Sequence, residues 1–247
     1  MGKIITVTSG KGGTGKTTTA AAISSCLAIL GKKTLCIDFD VQMRNLDIAL
    51  AMTDFAVMDF VDVATGKLTL AEACSESPKI PDLFFLSAPI DDVPDIVGEA
   101  AISRMFDIIR EEFDYCIVDS PAGIGRMLRL ANTNADLSLI VTTCDLSSVS
   151  AATRTADTLR LLGVRKLRLV VNRVVKRNFK QIKTTVDDII DIVGVRLLGI
   201  IPEDRHVFSA IHEGTPLVLY RKRKSAYEFL DAARRITGEQ IPLQKFK

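Results

Sequence analysis

The apolar run Ile4-Ile5-Thr6-Val7 passes directly into Ser9-Gly10-Lys11-Gly12-Gly13-Thr14-Gly15-Lys16-Thr17-Thr18 and then into a long alanine-rich stretch. A strand, a glycine loop and a helix in that order leave little freedom of fold. The glycines let the backbone curl until its N–H groups face one point, and the helix that follows aims its positive end at the same point. Gly10, Gly15, Lys16 and Thr17 fit the phosphate-binding loop pattern, in which the lysine reaches the outer phosphates and the threonine hydroxyl ligates Mg²⁺. A bare glycine-rich turn would not need the strand before it or the helix after it.

The rest of the chain repeats the alternation. Strands are expected near 4–8, 34–37, 83–87, 115–119, 137–142, 167–172 and 197–202, with helices over 16–30, 98–112, 147–162, 179–193 and 225–236. Gly31, Gly163 and Gly194 stand where helices hand over to strands, as C-terminal caps do. Strands that are apolar nearly throughout point to a parallel sheet covered on both faces. The expected fold is therefore α/β: a three-layer P-loop NTPase with a mostly parallel sheet flanked by helices. No linker or repeat divides the 247 residues, so one domain over 1–247 is the reading.

Composition narrows the chemistry. Tryptophan is absent, and a net charge of +2 is too small to imply nucleic acid by itself. The five cysteines, Cys26, Cys36, Cys74, Cys116 and Cys144, form no CxxC or CxC pair, which argues against a zinc ribbon or a locally supplied cluster. Buried thiols in a reducing cytoplasm are expected. No signal peptide or spanning segment is visible, so a cytoplasmic protein is expected, with peripheral attachment left open.

Three carboxylates fall at strand ends. Asp119 closes Tyr115-Cys116-Ile117-Val118, at the edge of a parallel sheet where ligands bind, and is a candidate for the magnesium's water shell. A helix cap is the alternative. Asp38 and Asp40 follow strand 34–37 at period-two spacing, which points them to one side. One suits the metal and the other an attacking water; a surface turn is the alternative.

These residues bring a family into view. GKGGTGKTT resembles the deviant Walker A motif of the MinD/ParA family of P-loop ATPases, whose signature is the first lysine. IDFDVQMRNLD (37–47), VDSPAGI (118–124), TTCDLSSVSAA (142–152) and GIIPED (199–204) look like MinD stretches in kind and order. The resemblance covers nearly the whole chain and is closer to MinD than to the plasmid-partition ATPases. It implies an ATP- and Mg²⁺-dependent ATPase that dimerises on ATP to control spatial placement, such as that of the division site, through effector and ATPase-stimulating proteins. By resemblance Lys11 crosses the dimer interface to the partner's ATP, a cation supplied in trans. Thr17 ligates the metal with Asp38 and Asp119 near its waters, and Asp40 positions the nucleophilic water. Gly10, Gly12, Gly13, Thr14, Gly15, Lys16 and Thr18 complete the phosphate cradle. Asn172 reads the adenine edge, although an asparagine at a strand end is often only a cap. Pro202, Glu203 and Asp204 line the base pocket.

Two departures stand out. Gly125 occupies the place where MinD proteins usually carry a glutamate, so a cross-dimer or nucleotide contact is expected to be lost. MinD proteins also continue into an amphipathic membrane-binding helix beyond the point matching this chain's end at Lys247. The last stretch, 241–247, holds three large apolar residues, two lysines and Pro242, and is expected to be an ordinary polar tail. A DNA-associated, ParA-like ATPase is the alternative. Residues 165–183 carry eight basic and no acidic side chains, and RKRK at 221–224 adds a second cluster. A solvated surface accounts for both. A flagellar-placement relative is a further alternative; cluster insertion would need paired cysteines.

Overall fold

The computed structural model describes residues 1–55, 57–175, 185–220 and 224–243. Much of the basic stretch (176–183), the start of the helix expected at 179, the cluster at 221–223 and the end of the tail (244–247) lie outside these residues.

Eight strands form one sheet among the described residues, in the order β3-β4-β2-β5-β1-β6-β7-β8. They are β1 (Lys3–Thr8), β2 (Thr34–Asp38), β3 (Ser75–Glu76), β4 (Leu83–Leu86), β5 (Tyr115–Asp119), β6 (Leu137–Thr142), β7 (Leu167–Val174) and β8 (Leu197–Pro202). Every pairing is parallel except β3 with β4. The seven expected strands are all present. The short antiparallel β3 was not anticipated, because two residues carry no periodicity.

Helices cover both faces, as a parallel sheet with apolar strands requires. On one side lie α1 (Lys16–Ile29), α2 (Leu46–Leu50), α9 (His206–His212) and α10 (Lys224–Thr237). Ile5, Val7, Leu139 and Val170 pack there against Ile23, Leu27 and Phe229. On the other side lie α3 (Phe60–Ala64), α5 (Glu99–Glu112) and α6 (Arg126–Ala131), with α7 (Leu146–Leu161) and α8 (Val186–Val193) beyond them. A short α4 (Leu70–Ala73) follows α3. Alternation in β1 shows the division: Ile5 and Val7 enter the first core and Ile4 the second. Each is at most 1% exposed, and burying a side chain of that size stabilises by about 1.5–3 kcal/mol.

Helix α1 is buried almost all round because it packs against the sheet, α2 and α10 together. Small alanines and serines let those neighbours approach. The expected caps are in place: Gly31, Gly163 and Gly194 all adopt positive φ. Thr185 and Asp188 form a reciprocal capping box that starts α8.

Strand register fixes where chemistry can occur. Val7 is level with Asp119, and Asp38 is level with Asp119, so β1, β5 and β2 bring their C-terminal ends together. The basic residues before and along β7 separate. Arg165, Lys166 and Arg168 lie at its start and Arg173 near its end, about 16 Å from Arg168 along the strand.

Candidate functional site

The loop after β1 is held by packing on three sides. A Cβ at Gly10 would lie 2.3 Å from the Ala151 carbonyl oxygen of α7, so only glycine lets the loop pass. Gly15 has φ +87°, and a Cβ there would lie 2.2 Å from the Asn172 amide nitrogen. Asn172, buried near the end of β7, donates from Nδ2 to the Thr14 carbonyl at 2.8 Å and accepts from the Arg173 backbone N–H at 2.9 Å. It braces the loop. Gly123 N–H donates to the Ser9 carbonyl at 3.0 Å, tying the segment after β5 to the same loop.

Helix α1 begins at Lys16 with no side-chain cap and no acidic residue in its first turn. Its free N–H groups and positive dipole end therefore meet the loop without a resident anion. Lys16, 7% exposed, points its ammonium at Asp119 Oδ1 (2.8 Å) and Asp40 Oδ2 (3.3 Å), and donates to the half-buried Thr17 hydroxyl at 3.3 Å. Thr18 is likewise half-buried.

The carboxylates feel this burial. Asp119 is fully buried, and desolvation lifts its pKa above the ordinary value even though Lys16 opposes the shift. Asp38 accepts from the backbone N–H groups of Asp40 (2.8 Å) and Leu46 (3.3 Å). Desolvation, and then the charge of Asp119, push its pKa up to about 7. One cation thus faces a group of three buried carboxylates.

Three buried oxygens around the loop, Thr8 Oγ1, Thr14 Oγ1 and Asp119 Oδ2, have no hydrogen-bond partner among the described residues. Buried orphans of this kind are costly and suit a bound polar group. Together with the uncapped helix start, they fit a phosphorylated ligand and a hydrated cation. No group of three or more histidine, cysteine, aspartate or glutamate side chains is arranged to hold a metal among the described residues.

A cavity of about 510 Å³ opens beside the loop, walled by Lys11, Thr14, Cys144, Asp145, Arg173 and Glu203 among others. Glu203 accepts from Arg173 at 2.9 and 3.3 Å. Pro202 closes β8 behind it. Asp204 does not line this cavity. Its side chain, 3% exposed, takes hydrogen bonds from His206 and from the backbone and hydroxyl of Ser225. Burial raises its pKa, but those donors outweigh it and hold the carboxyl below the ordinary range. Asp204 clasps β8, α9 and α10 together.

Lys11 is held on its own chain. Its ammonium donates to Asp145 Oδ1 at 3.2 Å and to the Ser147 hydroxyl at 2.7 Å. Asp145 is the N-cap of α7 and accepts from Ser148 N–H at 3.0 Å. Burial opposes its ionisation, yet hydrogen bonds from Ser147, Thr143 and Ser148 depress its pKa strongly.

Sequence reasoning assigned no role to Asp145, Arg173 or Arg126. Asp145 carried a signal, an aspartate just before Leu146-Ser147-Ser148 at a helix start. Arg173 carried none, since its φ of +56° inside a strand emerges only in three dimensions. Gly125 is the N-cap of α6, and the guanidinium of Arg126 donates to the carbonyls of Val93, Pro94 and Val97 at 2.9, 3.1 and 3.0 Å. The expected buried thiols are found at Cys26, Cys36 and Cys116, whereas Cys74 and Cys144 are only half-buried and Cys144 borders the cavity. Both sit at the ends of elements, where the apolar runs stop.

The chain is similar to known proteins along most of its length. A family model described as the CobQ/CobB/MinD/ParA nucleotide binding domain matches residues 5–217. The chain is 37% identical over 248 residues to the septum site-determining protein MinD of Bacillus subtilis (strain 168), covering 99% of this chain and 92% of that one. Among solved structures it is similar to the MinC:MinD cell division protein complex of Aquifex aeolicus, with TM-score 0.91, 35% identity and 98% of each chain covered. It is also similar to the MinD of Pyrococcus horikoshii OT3 complexed with Mg-ADP, with TM-score 0.83, 26% identity, and 96% and 97% coverage.

Proposed function

The chain belongs to the CobQ/CobB/MinD/ParA nucleotide-binding family, in its MinD branch of septum site-determining ATPases. On that premise we propose that it is an ATP-hydrolysing switch for spatial placement, acting as one domain, as a homodimer when ATP-bound, and through effector proteins. The observation that carries this reading is the buried Lys16 ammonium, poised between Asp119 and Asp40 at the uncapped start of α1. Such a cation exchanges its carboxylates for phosphate oxygens when a nucleotide enters.

Gly10 to Thr18 then cradle the phosphates through backbone N–H groups, and Asn172 holds the cradle while its second amide N–H stays available to a base. Glu203 borders the base side, next to Pro202 and Asp204. Thr17 would hold Mg²⁺, with Asp38 and Asp119 on its waters; when bound, the ion neutralises charge on the phosphate oxygens. Asp40, freed from Lys16, orients the attacking water. Lys11 leaves Asp145 for the partner's nucleotide, which makes ATP part of the dimer contact. The Aquifex aeolicus relative was solved as a MinC:MinD complex, which supports a protein effector as the partner class. No described helix is long and apolar enough to cross a membrane.

Nucleotide affinity and turnover test the reading. Lys16→Ala should lose ATP binding, and retained affinity would remove the loop from the site. Asp40→Ala should bind ATP, accumulate as a dimer and hydrolyse at least about a hundredfold more slowly, as loss of a base that contributes 10²–10⁴-fold would cause. Normal turnover in that variant would take Asp40 out of the chemistry.

A further inference from the structure

A second cleft lies at the opposite end of the sheet from the phosphate loop, where β1, β6, β7 and β8 begin. Strand alternation explains its chemistry. Ile5 of β1 and Val170 of β7 belong to the core beneath α1 and α10. Two residues upstream on the same face stand Lys3 and Arg168, where that core stops. Lys166 precedes β7, and Arg235 enters from the last turn of α10.

The cleft encloses about 220 Å³, and its lining sets these four cations against one carboxylate, Asp136. One oxygen of that carboxylate, Oδ2, accepts from Arg110 at 2.6 Å and from the Ile4 N–H at 2.8 Å. Arg235 donates to the carbonyls of Leu198, Ile241 and Pro242, which fixes its guanidinium as part of the wall. Lys3 leans over the Tyr115 ring, and Arg168 donates to the Leu167 carbonyl. Neither they nor Lys166 has a carboxylate partner among the described residues. On α10, Asp231 faces Arg234, and the buried Glu228 acts electrostatically on Arg235, which leaves Lys3, Lys166 and Arg168 as the cations without a carboxylate.

We propose that this cleft binds a phosphate group, carried by a soluble phosphate ester or by a lipid headgroup. Lys3, Lys166 and Arg168, which have no carboxylate partner, line a partly enclosed space that suits a tetrahedral anion with several acceptor oxygens, and Arg235, its nitrogens already on carbonyls, adds charge to the wall. The volume leaves room for the first atoms of an ester. The site is separate from the nucleotide loop, because the full length of β1, about 17–20 Å, lies between them.

The test uses the full chain, ¹⁵N-labelled and saturated with Mg-ADP so that the loop is filled, titrated with inorganic phosphate. Saturable shifts of the Lys3, Leu137 and Lys166 amides are expected. They should weaken at least about tenfold in Lys166→Ala/Arg168→Ala while ADP affinity holds. The single Lys166→Glu variant, at an exposed position, should show the same loss if the double variant folds poorly. Co-sedimentation with phosphatidylglycerol vesicles, against phosphatidylcholine, separates the sources. Pelleting that the variants abolish assigns a lipid headgroup; phosphate shifts without pelleting assign a soluble ester. Shifts confined to residues 10–18, no response to either probe, or a response that survives the variants would overturn the proposal.

Discussion

The Lys11 ammonium lies 3.2 Å from the Asp145 carboxylate of its own chain, with both side chains about half exposed (47% and 49%). A pair this exposed is worth about 0.2–1 kcal/mol. It therefore restrains Lys11 without locking it. Asp145→Asn keeps an oxygen to cap Ser148 N–H and removes the charge that holds the lysine. Two such contacts open per dimer, so in sedimentation velocity with ATP that variant should dimerise at up to about thirtyfold lower protein concentration. Lys11→Ala should bind ATP and remain monomeric. An Asp145→Asn variant that dimerises like the parent would show that the contact has no weight in the switch.

The carboxylates around Lys16 make stability depend on pH. Burial and the Asp119 charge raise Asp38 from 3.8 to about 7, so between those values the folded chain keeps a proton that the unfolded chain has released. The folded state binds more protons there, and this group's contribution to stability falls as pH rises from about 4 to 7. Asp119 is raised too and acts in the same direction. Asp38→Asn cannot ionise. Urea titrations of the nucleotide-free protein at pH 5 and pH 8 should show the variant gaining on the parent at the higher pH. A difference independent of pH would mean that Asp38 ionises normally.

How much of this was legible in the sequence depended on range. The strand, loop and helix from Ile4 to Leu27 were readable because local propensity, glycine placement and apolar patterning agree there. Asp38 and Asp119 were visible as strand ends, but only the level pairing of β2 with β5 makes them neighbours. Lys11 meeting Asp145 spans 134 positions and has no local trace. No element was assigned between 46 and 76, since α2, α3 and α4 are each five residues or fewer and too short for a 3.6-residue period to register. The basic stretch from 165 was expected to be solvated surface, and among the described residues β7 carries Arg168 and Arg173 toward its opposite ends.

Arg126 holds the segment before α5 by donating to three carbonyls, Val93, Pro94 and Val97. Ile90 and Ile96, at 81% and 83% exposure, do little to anchor that segment themselves. Arg126→Ala should cost about 1–2 kcal/mol, discounting charge-assisted bonds for the side chain's 43% exposure. It should also speed limited proteolysis between 90 and 97. Arg126→Lys should recover only part of the protection, because one ammonium on a flexible stem cannot span three carbonyls as a planar fork does. Equal cleavage rates in parent and Arg126→Ala would place the anchor of this segment elsewhere.

The glycines of the loop separate folding from ligand binding. At Gly10 a methyl group would meet the Ala151 carbonyl oxygen at 2.3 Å and the Thr155 hydroxyl at 2.7 Å, so backbone of α7 or of the loop must move. At Gly12 nothing lies within 4 Å of the same added methyl. Gly10→Ala should therefore lower stability without any nucleotide, by about 1–3 kcal/mol as overpacking does. Gly12→Ala should leave the midpoint of unfolding within about 0.5 kcal/mol of the parent, the usual range for an uncrowded surface position. If Gly12 faces phosphate oxygens, the folded Gly12→Ala protein should nevertheless lose affinity for Mg-ATP at least about tenfold, since a methyl group intrudes where backbone and anion meet. Calorimetric titration of a Gly12→Ala protein with unchanged stability then reads the ligand contact alone. Unchanged affinity would move the phosphates away from this part of the loop.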